Sequence, residues 1–148
     1  MTDRELKAYK ENHPTCELAK YFYRGGGEYR YRMSYGGDVI VPRFGSGWPS
    51  ATDLHHMCGS GNGAKRVNVK TNVIHVCSET HMWLEAEKLA GFVLCLYEKR
   101  RKGELDWTRL NQIKGKHVRG WLDTDDMKRA CAFSEFLERC RVQLLEGE

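Results

Sequence analysis

The chain has 148 residues, of which 41% are hydrophobic and 30% charged, and its 24 basic and 20 acidic side chains leave a net charge of +4. This composition excludes a disordered, collagen-like or coiled-coil chain, and the length predicts a single domain over residues 1–148. No apolar run of the sequence approaches the roughly 18 residues of a membrane span, and residues 1–5 are too polar for a signal peptide. We therefore expect a soluble, cytoplasmic protein without a membrane partner.

Two helical segments are predicted near the start of the chain. Thr2-x-x-Glu5 has the form of a capping box, which predicts a helix over residues 3–11 that stops before Pro14. A second helical stretch is predicted over residues 15–23, where a glycine triplet ends it.

Short strands are predicted in the next part of the chain. Over residues 29–35 large side chains alternate with polar ones, which is typical of a strand with one aromatic face. The large ones are Tyr29, Tyr31, Met33 and Tyr35, and the polar ones are Arg30, Arg32 and Ser34. Val39–Val41 predicts a second strand that Pro42 ends. Asp53–Met57 and Val73–Val76 predict two more, separated by a glycine-rich loop.

Helices are predicted to dominate the rest of the chain. One runs from Ser78, a favourable N-cap, to about residue 101, where Gly103 is a stop signal. A final helix is predicted from about Asp125, with Thr124 as its cap. The order of elements predicts an α+β domain. The apolar stripe predicted to face the core in the first of these helices consists of Met82, Ala86, Leu89, Val93 and Leu96.

The six cysteines are spread along the chain, and none forms a C-x-x-C pair. Several fall in apolar helical patterns, where a free thiol behaves as a small hydrophobic residue. We therefore expect most of them to be reduced core residues in a reducing compartment. Their positions are 16, 58, 77, 95, 131 and 140.

A group of polar residues in the middle of the chain suggests chemistry. Adjacent side chains on a strand point to opposite faces, so His55 and His56 can serve one site only where the strand ends or bends. His81 lies in the first turn of the predicted helix, and Glu85 shares its face at i+4. Imidazole and carboxylate groups can hold a divalent cation with positions left open for water and phosphate. A remaining histidine is then available as a base near neutral pH.

The segment Asp53–Met57, followed by Asn72 and by His81 nine residues later, resembles the HNH (ββα-metal, His-Me finger) endonuclease motif. In that family a His-His or Asp-His pair ends the first strand, an asparagine opens the second, and a histidine begins the helix. Cys77 also falls where many members carry a cysteine. The resemblance covers roughly a quarter of the chain. It implies a ββα-metal core with a small antiparallel sheet and flanking helices.

The resemblance implies a metal-dependent endonuclease that hydrolyses phosphodiester bonds in DNA and leaves a 5′-phosphate and a 3′-hydroxyl. His56 would be the general base that deprotonates the attacking water, while His55 and His81 would hold the metal. Asn72 would brace the loop between the strands. The family often has a third metal ligand near the position of Glu85, although less regularly than the histidines. The alternative is that Glu85 is a solvated residue of the helix and binds no metal. The metal would be Mg, Mn, Ni or Zn. Small free-standing members of the family occur in phages and mobile elements. The resemblance therefore implies that the protein acts in the cytoplasm of a bacterial or phage-infected host cell.

The chain departs from the family pattern at a structural zinc site that many members build from two C-x-x-C knuckles. The upstream segment Pro42–Pro49 has no cysteine, and Thr80 stands where the second knuckle has one. Cys58 and Cys77 alone cannot complete a tetrahedral site. We therefore expect the knuckle to be absent, which leaves the predicted catalytic set unchanged.

A basic segment follows the predicted catalytic helix. Residues 98–120 contain eight basic and three acidic side chains. Such a run is typically a solvated face, but its position also makes it the best candidate for contacts with DNA phosphates. The predicted nucleic-acid-binding residues are Lys99, Arg100, Arg101 and Lys102.

The resemblance divides the single domain into three parts. Residues 1–43 form N-terminal helices and strands, residues 44–102 form the ββα-metal core, and residues 103–148 form a C-terminal helical extension. Two alternatives stay open: a non-catalytic DNA-binding module that keeps the ββα fold, and a protein-interaction module whose histidines bind a structural metal. The sequence does not indicate the oligomeric state.

Overall fold

A computed structural model describes residues 1–24, 29–32, 38–58, 67–113, 138 and 141–142. In chain order the elements are α1 (Asp3–Asn12), α2 (Ala19–Phe22), β1 (Tyr29–Arg32), β2 (Asp38–Val41), β3 (Asp53–His56), a 3₁₀ turn (Lys70–Asn72), β4 (Val73–Val76), α3 (Ser78–Ala86), α4 (Lys88–Arg101) and α5 (Trp107–Ile113). Strand β1 pairs antiparallel with β2, and β3 pairs antiparallel with β4. The chain is thus a small α+β fold with two-stranded antiparallel sheets among helices. The helix predicted from Asp125 lies outside the described residues.

The N-terminal helix begins as the sequence predicts, but the second helix is shorter. The Thr2 hydroxyl accepts a hydrogen bond from the Glu5 backbone N–H at 3.1 Å and caps α1. The segment before α2 is a β-bridge followed by a turn, because Thr15 pairs with Ser50 and the Glu17 N–H donates to the His75 carbonyl at 2.9 Å. These contacts delay the start of α2 to Ala19.

The hairpin of β3 and β4 leads directly into α3. Asp53 lies opposite Val76 and His56 lies opposite Val73, so all four residues of β3 are paired. The side chains of β4 are buried on both faces, which explains the nearly continuous apolar sequence of this strand. Only Cys77 separates the end of β4 from the start of α3. The hairpin and the first turn of the helix therefore lie side by side.

The single helix predicted over residues 78–101 is two helices, separated at Glu87, which has φ −105° and ψ 65°. The predicted apolar stripe is wrong in its first half, because Met82 is 72% exposed and Ala86 is also exposed. A break in the helix changes the direction of its faces, so one stripe cannot continue through it. A Cβ atom on Gly91 would lie 2.9 Å from Leu84 Cδ2, so the glycine permits the close approach of α4 to α3.

The core lies between the hairpin, α2 and α4. Phe22, Ile74, Leu84 and Leu96 are among its fully buried members. The Phe22 ring also stacks on Phe44, with centroids 5.1 Å apart and an interplanar angle of 7°. Ile74 of β4 and Leu84 of α3 belong to the same buried cluster, which packs these two elements together. None of the helices in the described ranges is long and apolar enough to cross a membrane.

Candidate metal centre

Three side chains of metal-ligating type converge where β3 meets the first turns of α3. His55 comes from β3, and His81 and Glu85 lie one turn apart on α3. Glu85 Oε1 is 3.5 Å from His55 Nδ1 and 3.4 Å from His81 Nε2. One ligand atom from each residue lies within 4.8 Å of the others, a spacing that a single cation can bridge. The structure therefore brings together the three residues that the sequence selects as metal ligands.

Asp53 holds the His81 ring in place, a role that the sequence analysis missed. Its Oδ2 is 2.9 Å from His81 Nδ1, so the carboxylate accepts a hydrogen bond from Nδ1–H and leaves Nε2 directed at Glu85. The same hydrogen bond lowers the pKa of Asp53. Because Asp53 and His55 stand two residues apart on β3, they share one face of the strand, and this spacing was the available signal.

His55 is buried in a state suited to metal binding. Its side chain is almost entirely enclosed, and its Nδ1 has no hydrogen-bond partner among the residues that the structure describes. Burial lowers the pKa of His55, and the Glu85 carboxylate opposes this only in part. Burial therefore favours the neutral imidazole, the form that binds a metal, and its Nδ1 faces Glu85 Oε1 at 3.5 Å.

The cluster is open to solvent on the α3 side. The Glu85 side chain is 56% exposed and the His81 side chain 29% exposed, whereas the His55 side chain is only 10% exposed. The His55 and His81 rings pack edge to face, with centroids 5.3 Å apart. A buried histidine at the base and an exposed carboxylate at the rim form a site that a ligand in solution can reach.

His56, the predicted general base, lies next to this cluster in sequence but is not a member of it. It ends β3, and its Nε2 lies 2.7 Å from Asn68 Oδ1. Asn68 is a second residue that the sequence analysis missed, and no motif in the loop marks it. Its amide oxygen accepts a hydrogen bond from Nε2–H and so fixes both the orientation and the tautomer of the ring.

Asn72 is fully buried and bonds to both ends of the loop between β3 and β4. Its Oδ1 accepts from the Cys58 N–H at 2.8 Å, and its Nδ2 donates to the Cys58 and Val67 carbonyls at 2.9 and 3.0 Å. Three hydrogen bonds from one amide satisfy backbone groups that a sheet ladder no longer pairs. The bracing that the resemblance implies for Asn72 would act through these hydrogen bonds.

The predicted phosphate contact at Lys99 needs correction. Lys99 is fully buried, and its ammonium group donates to the Tyr9 hydroxyl at 3.0 Å and to Glu104 Oε1 at 3.1 Å. A side chain enclosed in this way cannot reach a DNA phosphate. The sequence of the basic run does not reveal that Lys99 is buried, because its partner Tyr9 lies 90 residues away.

The neighbouring basic residues are also engaged with carboxylates. Arg101 makes a bidentate contact with the buried Glu98 at 2.8 and 3.0 Å, and Lys102 contacts Glu17 at 2.5 Å. Arg100 is half-buried and has contacts of its own. The Lys102–Glu17 pair fastens the end of α4 to the N-terminal segment, whereas the Arg101–Glu98 pair lies within the helix. The basic side chains at 99, 101 and 102 therefore belong to a structural network.

The metal-ligand cluster, the oriented His56 ring and the Asn72-braced loop all lie within the hairpin and the helix that follows it. No protein-family model, curated protein or solved structure shows significant similarity to this chain. The functional conclusion therefore depends on the chemistry of these side chains.

Proposed function

We propose that the chain is a metal-dependent HNH endonuclease that hydrolyses phosphodiester bonds in DNA, with β3, β4 and α3 as its ββα-metal core. The observation that carries this proposal is the convergence of His55 Nδ1, His81 Nε2 and Glu85 Oε1. The order of the elements supports it, because histidines end the first strand, Asn72 precedes the second, and His81 lies in the first turn of the helix.

The three side chains fit a divalent metal ion. Two imidazole nitrogens and one carboxylate oxygen form a mixed donor set of the kind that catalytic zinc, manganese or nickel sites use. The buried Nδ1 of His55, which lacks a hydrogen bond within the described ranges, would gain a partner in the ion. Three protein ligands would leave positions for water and a phosphate oxygen. Such an ion supplies Lewis-acid stabilisation of the negative charge that develops on the phosphate during hydrolysis.

His56 is the proposed general base that takes a proton from the attacking water. Its ring is held by Asn68, so a single orientation and tautomer are available before substrate binds. Asn72 holds the backbone at Cys58, two residues beyond His56, and so limits movement of the strand end. The expected products carry a 5′-phosphate and a 3′-hydroxyl.

A cleavage assay on supercoiled plasmid DNA tests this proposal. With Mg, Mn, Ni or Zn supplied in turn, at least one ion should support nicking or linearisation, and a chelator should stop it. DNA ligase should reseal the nicks directly, because ligation requires a 5′-phosphate and a 3′-hydroxyl. His56→Ala should lower the cleavage rate at least about a hundredfold, the usual contribution of a positioned base.

The matched control is His13→Gln, which removes a histidine that bonds to Tyr9 on α1 and does not belong to the cluster. This variant should cleave at the wild-type rate. Binding of DNA without cleavage under every ion would favour a non-catalytic DNA-binding module. Metal binding without either DNA binding or cleavage would favour a structural metal in a protein-interaction module.

A further inference from the structure

Two buried cysteine thiols contact the same hydroxyl group, that of Thr80 in α3. Cys16 Sγ is 3.6 Å and Cys77 Sγ is 3.2 Å from Thr80 Oγ1. Thr80 is fully buried, Cys16 is 3% exposed and Cys77 is 7% exposed. All four cysteines in the described segments are free and buried, but this shared contact brings two of them to the same atom.

A backbone hydrogen bond also joins the two segments that carry the thiols. The Glu17 N–H, one residue after Cys16, donates to the carbonyl of His75, two residues before Cys77, at 2.9 Å. Because both sulfurs contact Thr80 Oγ1, at 3.6 and 3.2 Å, they lie no more than 6.8 Å apart. From this position the two sulfurs would approach to about 2.0 Å to form a disulfide.

The two thiols have different chemical environments. Burial raises the pKa of Cys16. Burial also acts to raise the pKa of Cys77, but hydrogen bonds with Thr80 and Tyr23 outweigh it and lower this pKa below the usual value. If the Cys16 thiol donates to Thr80 Oγ1, the Thr80 hydroxyl can donate to a Cys77 thiolate. One hydroxyl thus supports a nucleophilic thiolate beside a protonated thiol.

We propose that Cys16 and Cys77 are a redox-active pair that forms a reversible disulfide with hydrogen peroxide as the oxidant. The Cys77 thiolate attacks one peroxide oxygen, the O–O bond breaks, and the hydroxide released takes up a proton to become water. The Cys16 sulfur then attacks the resulting sulfenic acid at Cys77 and displaces its hydroxyl group, which leaves with the Cys16 proton as a second water. Two thiols are oxidised by two electrons, and one peroxide is reduced to two waters.

The bond would join the segment before α2 covalently to the start of α3, four residues before His81. Closing a loop over residues 16–77 restricts the unfolded chain, so the oxidised form should also melt at a higher temperature than the reduced form. This modification site is independent of nuclease activity.

Tryptic mass spectrometry tests the pair directly, because each of the six cysteines falls in a different tryptic peptide. The folded, reduced protein is treated with hydrogen peroxide, alkylated and digested without reductant. We expect one product, in which peptide 11–20 is linked to peptide 71–88, and it should disappear on addition of dithiothreitol. The other four cysteines should carry the alkyl group and serve as internal controls. The same treatment in urea should give mixed pairings.

Two substitutions test the part played by Thr80. Thr80→Val removes the hydroxyl and should slow peroxide oxidation of Cys77 severalfold, whereas Thr80→Ser retains the hydroxyl and should oxidise at close to the wild-type rate. Circular dichroism checks that both variants fold. The proposal is overturned if the folded wild-type protein yields Cys77 sulfinic or sulfonic acid without the linked peptide, or leaves both thiols unmodified. It is also overturned if pairing in the folded protein is as mixed as in urea.

Discussion

The substitution Asp53→Asn separates orientation of a metal ligand from metal ligation itself. Asp53 accepts a hydrogen bond from His81 Nδ1 at 2.9 Å and does not belong to the three-residue cluster. The asparagine keeps the shape of the acceptor but removes its charge. A hydrogen bond to a charged group contributes about 1 to 1.5 kcal/mol more than a neutral one. If this difference acts on the basicity of His81 Nε2, metal affinity should fall about tenfold.

Isothermal titration calorimetry with Zn²⁺ measures this change in affinity. Glu87→Gln is the matched control. This substitution also removes one negative charge, at the end of α3, but Glu87 is not one of the three metal-ligating residues. We expect the control to bind zinc as the wild type does, and His81→Ala to lose more affinity than Asp53→Asn. Equal affinity for Asp53→Asn and the wild type would refute the role of Asp53 in orienting His81.

Three further predictions concern stability. Asn72→Ala removes three hydrogen bonds to buried backbone groups and should lower the free energy of unfolding by about 3 kcal/mol in urea titrations, whereas a loss within 0.5 kcal/mol would contradict the bracing role. The pKa of Glu17 is lowered in the fold, since the His75 N–H and the Lys102 ammonium outweigh the effect of burial. Its contribution is therefore present above the unfolded pKa of about 4.3 and lost as the pH falls through the lower folded pKa, so Glu17→Gln should flatten the acid side of a plot of melting temperature against pH. Lys99→Ala leaves Glu104 without its buried partner and should cost about 3 kcal/mol in the same urea titrations, while wild-type stability would place Lys99 outside the structural network.

The local geometry of the site could be predicted from the sequence because it depends on short-range spacing. Apolar and β-branched residues predict the strand over Val73–Val76, and the structure confirms it. His81 and Glu85 share a helix face at i+4 whether the helix is long or short. The break at Glu87 therefore changed the predicted core stripe but not the relation between these two residues.

Contacts between distant parts of the chain could not be predicted in the same way. Lys99 lies in a basic run that looks solvated, and only its tertiary contact with Tyr9 shows that it is buried. Asn68 contacts His56 across a loop whose sequence has no periodicity. The helix break had a weak signal in Gly91, a residue that helices disfavour unless another backbone or side chain approaches closely.

Anomalous X-ray diffraction from crystals grown with Mn²⁺ or Zn²⁺ tests the central claim most directly, because it locates the metal without any assumption about activity. We expect a single strong peak about 2.0 to 2.2 Å from His55 Nδ1, His81 Nε2 and Glu85 Oε1, with further positions open to solvent. In crystals of His55→Ala this peak should be weak or absent. A peak bound by other residues, or none at a metal concentration that supports DNA cleavage, would contradict the account.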